Sequence, residues 1–276
     1  MEGDPAYEDH AGASTADAYI EDRIYEWTGR HPKGGGLTHV GNGVRRLDIP
    51  IDEELIRGKR CVDVGCGMGR WTKTMLAIGA ESVLSIDLSQ SGLDSVRKFN
   101  PNVLAADVTT LKQEHADLES RFDFGVSWAV VHHTHDPSLA FRNAAWTIAP
   151  GGALYLMVYA PEGVHGLELT ARRRSRFHRM RNVSGRLQYV DTLASHRWDP
   201  AASLLVNAKQ FAKRALRRPP ASKVGILDML EPFYNWVIPL KAAEDWFIKN
   251  GFSRPVLLNH AEKRKCAYHL LGRKRG

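Results

Sequence analysis

Short apolar blocks alternate along residues 60–159 with longer runs in which apolar positions recur at helical spacing. The blocks have the composition of buried strands: RCVDVG, SVLSID, NVLAAD, FDFGVSWAV and ALYLMVYA. The runs between them have the pattern of amphipathic helices: WTKTMLAIGA, SQSGLDSVRKF and DPSLAFRNAAWTIA. Strands that alternate with helices in this way form right-handed βαβ units. The sequence therefore predicts an α/β fold with a doubly wound, Rossmann-like and mostly parallel sheet.

The flanking segments extend this core, which covers residues 58–160. Residues 1–57 are polar and carry one helical candidate, DAYIEDRIYEWTGR, before the glycine-rich HPKGGGLTHVGNG, so we expect an N-terminal helical arm and a mobile loop. Residues 161–239 are rich in arginine and proline but keep helical periodicity, which predicts an inserted, basic, largely helical cap for the substrate. Residues 240–276 hold a helix and two strands, RPVLLNH and KCAYHLLGR. These strands would complete a seven-stranded sheet with an antiparallel edge strand.

The composition is that of an ordinary globular protein, with 276 residues of which 43% are hydrophobic and 25% charged. The N-terminus has no basic start followed by an apolar block, and no apolar run approaches the length of a membrane span. Cys61, Cys66 and Cys266 form no CxxC pair, which argues against a disulfide framework and a zinc site. We therefore expect a soluble protein of the reducing cytoplasm.

Positive charge is concentrated in one segment. Residues 172–218 contain thirteen Lys and Arg against Asp191 and Asp199, a net charge of +11 in a chain whose total is +7. Such a cluster either meets an anionic ligand or forms a solvated helix face. The sequence leaves both possibilities open.

The stretch VDVGCGMGRW places Gly65, Gly67 and Gly69 between the first predicted strand and the first helix. Glycines in such a turn let the backbone approach a ligand and present amide groups at a helix N-terminus. A dinucleotide site would read GxGxxG, whereas the spacing here is DxGxGxG, beginning at Asp63. An acid at that position disfavours a pyrophosphate and suits a ligand that carries an ammonium group.

A second acid, Asp87, ends the second predicted strand, 22 residues after Gly65. A carboxylate there can accept hydrogen bonds from two vicinal ribose hydroxyls, as in other adenosine-binding sheets. The alternative is that Asp87 caps the next helix, although Ser89 is equally suited to that position. We expect the ribose contact.

These features resemble the class I S-adenosylmethionine-dependent methyltransferases, and in particular their type 11 branch, the ubiquinone/menaquinone-methyltransferase-like proteins. DxGxGxG is the first motif of that family. The segment FDFGVSWAVVHHTHDP is similar to its D-x-(4 or 5 residues)-L-H-H segment, and residues 149–152 are similar to its KPGG-like turn. The likeness covers residues 60–159 well and residues 240–274 loosely. It implies S-adenosylmethionine as the cofactor, with the glycine loop beneath its methionine portion and ribose.

The resemblance also implies where the cofactor binds. Asp107 would face the adenine amino group, or would instead cap the helix that follows it. Ser127, Trp128 and His132 would lie near the methionine end, where the acceptor must arrive. The full set of implied cofactor-binding residues is Asp63, Gly65, Cys66, Gly67, Gly69, Asp87, Leu88, Asp107, Val108, Ser127, Trp128 and His132.

The histidines after the fourth predicted strand are candidates for catalysis. His132, His133 and His135 with Asp136 look like a metal cluster, but neighbouring side chains diverge at a strand exit, so we expect no metal site. On the resemblance, His132 or His133 lies near the acceptor and acts as a general base. The alternative is that the histidine only orders the loop.

We expect transfer of a methyl group to a hydroxyl, amine or carbon of a small-molecule acceptor such as a sugar, lipid or secondary metabolite. An anionic or carrier-presented acceptor would suit the basic cap. Two other functions stay open: an RNA methyltransferase that uses residues 172–218, and a non-catalytic protein that only binds the cofactor. Aromatic side chains could face the cationic sulfur or belong to the core; these are Tyr25, Trp71 and Trp128. The candidate acceptor-contacting residues are Tyr25, Trp27, Tyr159, Arg172, Arg173 and Arg174.

Overall fold

Seven strands form one sheet in the computed structural model, which describes residues 51–218, 221, 223–260 and 266–276. The spatial order is β3-β2-β1-β4-β5-β7-β6. The first five pair in parallel, while β7 is antiparallel to both of its neighbours. The strands are β1 (Arg60–Val64), β2 (Ser82–Asp87), β3 (Val103–Ala105), β4 (Phe122–Trp128), β5 (Ile148–Tyr159), β6 (Val256–Leu257) and β7 (Ala267–Arg273).

The prediction of a doubly wound, seven-stranded and mostly parallel sheet is confirmed. Two details differ from it. The antiparallel strand β7 lies one place inside the edge, because the short strand β6 pairs with its outer side. In addition, β5 begins at Ile148, before the Pro-Gly-Gly turn, and the pairing with β4 shifts register between Phe122 and Phe124 to accommodate that turn.

Helices cover both faces of the sheet and continue beyond it. Four connect the parallel strands: α1 (Arg70–Ile78), α2 (Gln90–Arg97), α3 (Leu111–Glu114) and α4 (Pro137–Trp146). Four more follow β5 within residues 161–239, the segment predicted to be a cap and called the cap below: α5 (Glu168–His178), α6 (Val183–Ala194), α7 (Leu204–Ala215) and α8 (Lys223–Leu230). The chain then returns to the sheet through α9 (Leu240–Lys249). The proposed N-terminal helical arm lies outside the described residues.

Two apolar cores hold these layers together. On one face, Phe141 of α4 packs against Phe247 of α9, with ring centroids 4.8 Å apart. On the other, Trp71 of α1 meets the ring of Tyr155 edge-on at 5.2 Å, so Trp71 belongs to the core. This packing leaves the carboxyl ends of β1, β2 and β4 to carry the loops. None of the helices in the described part of the chain has the length and apolar character needed to cross a lipid bilayer.

The cap has a small core of its own, built from α5, α6 and α8. Arg174 runs through it and is 2% exposed. Its guanidinium donates to the backbone oxygens of Met229, Leu230, Pro232 and Phe233 at 2.6 to 3.3 Å. Met229 and Leu230 end α8 and Pro232 and Phe233 follow it, so Arg174 satisfies backbone groups that the end of the helix leaves without partners.

We expect Arg174→Leu to lower the free energy of unfolding by about 3 kcal/mol, because buried carbonyls left without a donor are costly. Arg172→Leu is the matched control two residues earlier. The Arg172 side chain is 52% exposed and lies 3.7 Å from Glu168, so its loss should cost less than about 0.5 kcal/mol. Urea unfolding of the two variants measures both values. Equal losses would contradict the structural assignment of Arg174.

Candidate functional site

The glycine loop between β1 and α1 depends on left-handed backbone. Gly65, Gly67 and Gly69 have φ angles of +77°, +50° and +79°. A Cβ at Gly65 would overlap the side chain of Val130, and one at Gly69 would lie 2.6 Å from the Phe99 ring. The loop therefore packs directly on the exit of β4. Glycine is required there both by the backbone conformation and by the close neighbours.

Asp63 fixes the far side of this loop. Its Oδ2 accepts hydrogen bonds from the backbone N and the Oγ1 of Thr72, at 2.8 and 2.7 Å. Burial raises the pKa of Asp63 to about 7, while the hydrogen bonds from Thr72 oppose that shift. The carboxyl group thus positions the first turn of α1, in addition to the contact with an ammonium group that its place in the motif predicts.

Asp87 joins the loop to the end of β2. One carboxylate oxygen accepts from the Gly67 amide at 2.7 Å, and the other accepts from the Ser89 amide at 2.8 Å. The cap of α2 is Ser89, whose hydroxyl oxygen accepts from Gly92 N at 3.0 Å. Of the two roles considered for Asp87, helix capping therefore falls to Ser89. The carboxylate itself stands where the glycine loop and the strand end meet.

Asp107 has a local role beyond β3. Its Oδ1 accepts from the backbone N and the Oγ1 of Thr109, at 2.7 and 2.8 Å, which orders the turn before α3. Asn143 of α4 supports the same turn by donating to the carbonyls of Val108 and Thr109, both at 2.8 Å. Val108 is buried and Leu88, beside Asp87, is half-buried. The contact of Asp107 with adenine remains a prediction.

The exit of β4 brings several predicted residues together. Ala129 has a φ of +62°, which is unusual for a residue other than glycine and turns the chain sharply into the 3-10 helix Val131–His133. The ring centroid of His132 lies 4.0 Å from that of Tyr159 and 4.3 Å from that of His133. Arg70, at the start of α1, holds its guanidinium 4.7 Å from the centroid of the Trp128 ring. Side chains from α1 and β5 therefore pack against the end of β4 and the loop that follows it.

His133 has a defined tautomer. Its Nδ1 lies 2.8 Å from the backbone oxygen of Tyr234, and a carbonyl can only accept, so Nδ1 carries the proton. The lone pair is then on Nε2, which is buried and has no hydrogen-bond partner among the described residues. Burial lowers the pKa of His133 to about 4, with a smaller contribution from the Arg174 charge. The imidazole is thus neutral at pH 7, and its unprotonated Nε2 is buried.

The end of the cap covers this loop, and the sequence analysis did not single it out. Trp236 donates its backbone N–H to the carbonyl of His132 and its indole Nε1–H to that of Thr134, both at 3.0 Å. Asn235 Oδ1 and Ser127 Oγ are buried without a hydrogen-bond partner in the described part of the chain. The signal in the sequence was the run PFYNWVIP, where aromatic and amide residues lie between prolines.

The remaining predicted residues are not gathered at the exit of β4. Arg174 fills the cap interior, and Arg173 donates to the buried Asp199 at 2.7 Å, so both guanidinium groups serve the cap fold. Arg172 is exposed. Tyr25 and Trp27 lie outside the described residues. No group of three His, Cys, Asp or Glu side chains within the described ranges is arranged to hold a metal ion.

The strand order, the glycine loop and the acid that ends β2 define the methyltransferase class whose cofactor is S-adenosylmethionine. The sequence model of the family described as "Methyltransferase domain" matches residues 44–198, so the chain belongs to that family. This confirms the resemblance seen in the sequence.

Curated relatives match through this domain. A tRNA U34 carboxymethyltransferase of Methylococcus capsulatus is 36% identical over 143 residues, which are 50% of this chain and 43% of that protein. A ubiquinone biosynthesis O-methyltransferase of Coxiella burnetii is 30% identical over 123 residues, 42% of this chain and 50% of that protein. The chain thus spans about half the length of the curated relatives it matches.

Among solved structures, a SAM dependent methyltransferase from Archaeoglobus fulgidus superposes with a TM-score of 0.52 at 11% identity. The superposition covers 93% of this chain and 100% of that one. At that identity the likeness shows a shared fold.

Proposed function

We propose that this protein transfers a methyl group from S-adenosylmethionine to a hydroxyl or amine of a small-molecule acceptor, with His133 as the general base. The observation that carries the proposal is the buried, unprotonated Nε2 of His133 at the exit of β4. That exit packs on the glycine loop through Val130 and Gly65. The segment that carries the proposed base therefore contacts the expected cofactor loop at Val130, three residues before His133.

The residues present fit this cofactor. The left-handed glycine loop gives its backbone the conformation in which amide groups can approach a ligand, and Ser127 Oγ is a buried polar atom that has no described partner. We propose that Asp87 accepts the ribose hydroxyls, that residues 107–108 flank the adenine, and that Ser127, Trp128 and His132 contact the methionine end. The remaining proposed contacts are Asp63, Gly65, Cys66, Gly67, Gly69 and Leu88. When bound, the cofactor supplies a methyl group already activated by a sulfonium.

The work left to the protein is alignment and removal of a proton. Alignment alone supplies a large share of the rate when the donor is activated, because it replaces a bimolecular encounter by a fixed geometry. An acceptor hydroxyl or amine must also lose its proton as the new bond forms. His133 Nε2 can take that proton, since its ring is held by the Tyr234 carbonyl on the opposite nitrogen. Burial of His133 Nε2 keeps bulk water away from the proposed base.

We further propose that residues 161–239 form the acceptor cap and residues 58–160 with 240–276 form the cofactor core, with residues 1–57 as an additional arm. Support for the cap comes from Tyr234 and Trp236, whose hydrogen bonds hold the loop that carries His132 and His133. The base is thereby positioned by the segment that also covers it. Tyr159, whose ring contacts His132, is also a proposed acceptor-contacting residue.

A second candidate function is methylation of RNA. It is favoured by the relative named tRNA U34 carboxymethyltransferase and by the basic residues 172–218. Two of the arginines first assigned to an anionic ligand, Arg173 and Arg174, face buried protein groups, which reduces the charge available to a nucleic acid. The small-molecule acceptor therefore remains the better supported proposal.

The assigned state of His133 gives a direct test that needs no acceptor. We expect its pKa at about 4, so its carbon-bound ring protons should keep constant NMR shifts from pH 8 to about 5.5. The unfolded chain takes up this proton near pH 6.5, so the contribution of His133 to stability is complete above that pH and declines as the pH falls towards 4. The His133→Gln spectrum identifies the resonance. A midpoint near 6.5 would contradict the burial assigned to the ring.

A further inference from the structure

Helix α7 is attached to the cap by its polar side. Asn207 is its one buried residue, at 3% exposure. The side chain of Asn207 accepts from the Asp199 amide at 2.7 Å and donates to the Asp199 carbonyl at 2.9 Å. One turn later, Gln210 Oε1 lies 3.1 Å from Nδ1 of His196. The face that would normally be solvated is therefore the face that holds the helix to the protein.

The apolar face of α7 points to solvent. Leu204, Leu205 and Phe211 are 77%, 68% and 73% exposed, and Leu216 just beyond the helix is 71% exposed. Leu204 and Phe211 share one side of the helix by their spacing, and Leu205 lies beside it. A surface helix normally turns such residues towards the core. This arrangement exposes an apolar strip several residues long, which marks an interaction surface.

Positive charge borders the strip. Lys209, Lys213, Arg214, Arg217 and Arg218 are all exposed, and residues 200–218 contain no acidic residue. A groove next to the start of α7 adds three more cations. Its lining includes Arg172 and Arg176 of α5, Arg179 just after that helix, the segment 200–203 that leads into α7, and one acid, Glu168, which lies 3.7 Å from Arg172. The apolar strip and the basic groove thus meet at the N-terminus of the helix.

We propose that α7 and the adjoining arginine groove bind the surface of an anionic phospholipid bilayer. The helix would lie in the interface, with Leu204, Leu205, Phe211 and Leu216 among the acyl chains and the basic side chains at the headgroup phosphates. Exposed apolar residues combined with flanking Lys and Arg are the pattern of interfacial helices. RNA would satisfy the charge but offers no hydrocarbon for four exposed apolar side chains. The inference concerns docking alone and does not depend on which acceptor is methylated.

The test is sedimentation of the full chain with two kinds of vesicle, pure phosphatidylcholine and phosphatidylcholine with one third phosphatidylglycerol. We expect binding to the anionic vesicles at least tenfold stronger than to the neutral ones, and weaker at high salt. The combined variant Leu204→Ser, Phe211→Ser, Leu216→Ser should lower the partition into anionic vesicles more than tenfold. Its side chains are exposed, so folding should be unaffected.

Matched controls come from exposed residues elsewhere. The variant Leu167→Ser, Ile248→Ser, Val256→Ser removes apolar side chains that are 42%, 42% and 61% exposed and should bind vesicles like the wild type. The role of charge is tested by the combined variant Lys209→Gln, Lys213→Gln, Arg214→Gln, whose partition into anionic vesicles should fall at least tenfold. Its control is the combined variant Lys98→Gln, Arg142→Gln, Lys249→Gln, which removes exposed charges elsewhere and should lower that partition less than threefold.

Several outcomes would overturn the proposal. One is absence of binding to anionic vesicles, or binding that both α7 variants retain. Another is binding of a single-stranded RNA oligonucleotide that only the α7 charge variant loses, without vesicle binding, which would make the surface a nucleic-acid site. A third is a dimer, measured by light scattering, that the apolar variant alone dissociates while vesicles are not bound. Loss of vesicle binding in both α7 variants, with both controls intact, supports it.

Discussion

Replacing Asp87 by alanine is expected to weaken the binding of S-adenosylhomocysteine about 100-fold. On the proposed cofactor site, the variant would remove a charged acceptor for two ribose hydroxyls, and hydrogen bonds to charged groups are worth about 1.5 to 3 kcal/mol each. Asp107→Ala is the control, because that carboxylate reaches at most one amino group, and we expect a loss below about tenfold. Isothermal titration calorimetry measures both. Equal, small losses would show that the ribose lies elsewhere.

Asp87 also accepts from the Gly67 and Ser89 amides, so the alanine variant could act by loosening the loop. Asp87→Asn separates the two effects, since it keeps one acceptor oxygen for an amide and loses the negative charge. If ribose binding is the main role, Asp87→Asn should lose about as much affinity as Asp87→Ala, although its ligand-free melting temperature should be higher because the asparagine keeps one acceptor for a backbone amide. A large drop in melting temperature with retained affinity would make Asp87 a structural residue only.

His133→Phe is expected to slow methyl transfer by about 100-fold to 10,000-fold, the range typical of a lost general base. The affinity for S-adenosylhomocysteine should change by less than about twofold, because the proposed role of the ring is towards the acceptor. Transfer of labelled methyl from S-adenosylmethionine to an acceptor that the wild type uses gives the rate.

His135→Phe is the matched control for that experiment. His135 is exposed and its ring centroid lies 6.5 Å from that of Tyr234, so its loss should leave the rate within about threefold. A wild-type rate in His133→Phe would remove the histidine from the chemistry. The ring would then only order the loop, through the hydrogen bond from its Nδ1 to the Tyr234 carbonyl.

Local sequence patterns were enough to predict most of the fold and the residues proposed to bind the cofactor. The positions Gly65, Gly67 and Gly69 follow a strand directly, and Asp87 ends the next strand, so parallel pairing of β1 and β2 brings them to the same sheet edge. These relations depend on period and on strand ends, which a sequence displays. The strand β7 was also visible as an apolar run. Its position between β5 and the two-residue edge strand β6 depends on strand pairing, which no local sequence pattern shows.

The acceptor side depends on contacts between residues far apart in the chain. Arg172, Arg173 and Arg174 look alike in a charge count, but they differ by their place on α5. Arg174 meets carbonyls 55 to 59 positions later, Arg173 meets Asp199, and Arg172 stays at the surface. The tautomer of His133 likewise follows from Tyr234, 101 positions away. For helix α7 the sequence showed only the positive charge. That the helix packs through its polar face and exposes its apolar face depends on tertiary contacts.

The position of S-adenosylhomocysteine in a co-crystal structure tests the account most directly. We expect the two ribose hydroxyls at hydrogen-bond distance, about 3 Å, from the carboxylate of Asp87. The sulfur should face Trp128 and His132, with His133 Nε2 opening onto the space where an acceptor would fit. A ligand whose ribose lies away from Asp87, or whose sulfur is separated from His133 by packed protein, would contradict both the proposed cofactor site and the proposed base.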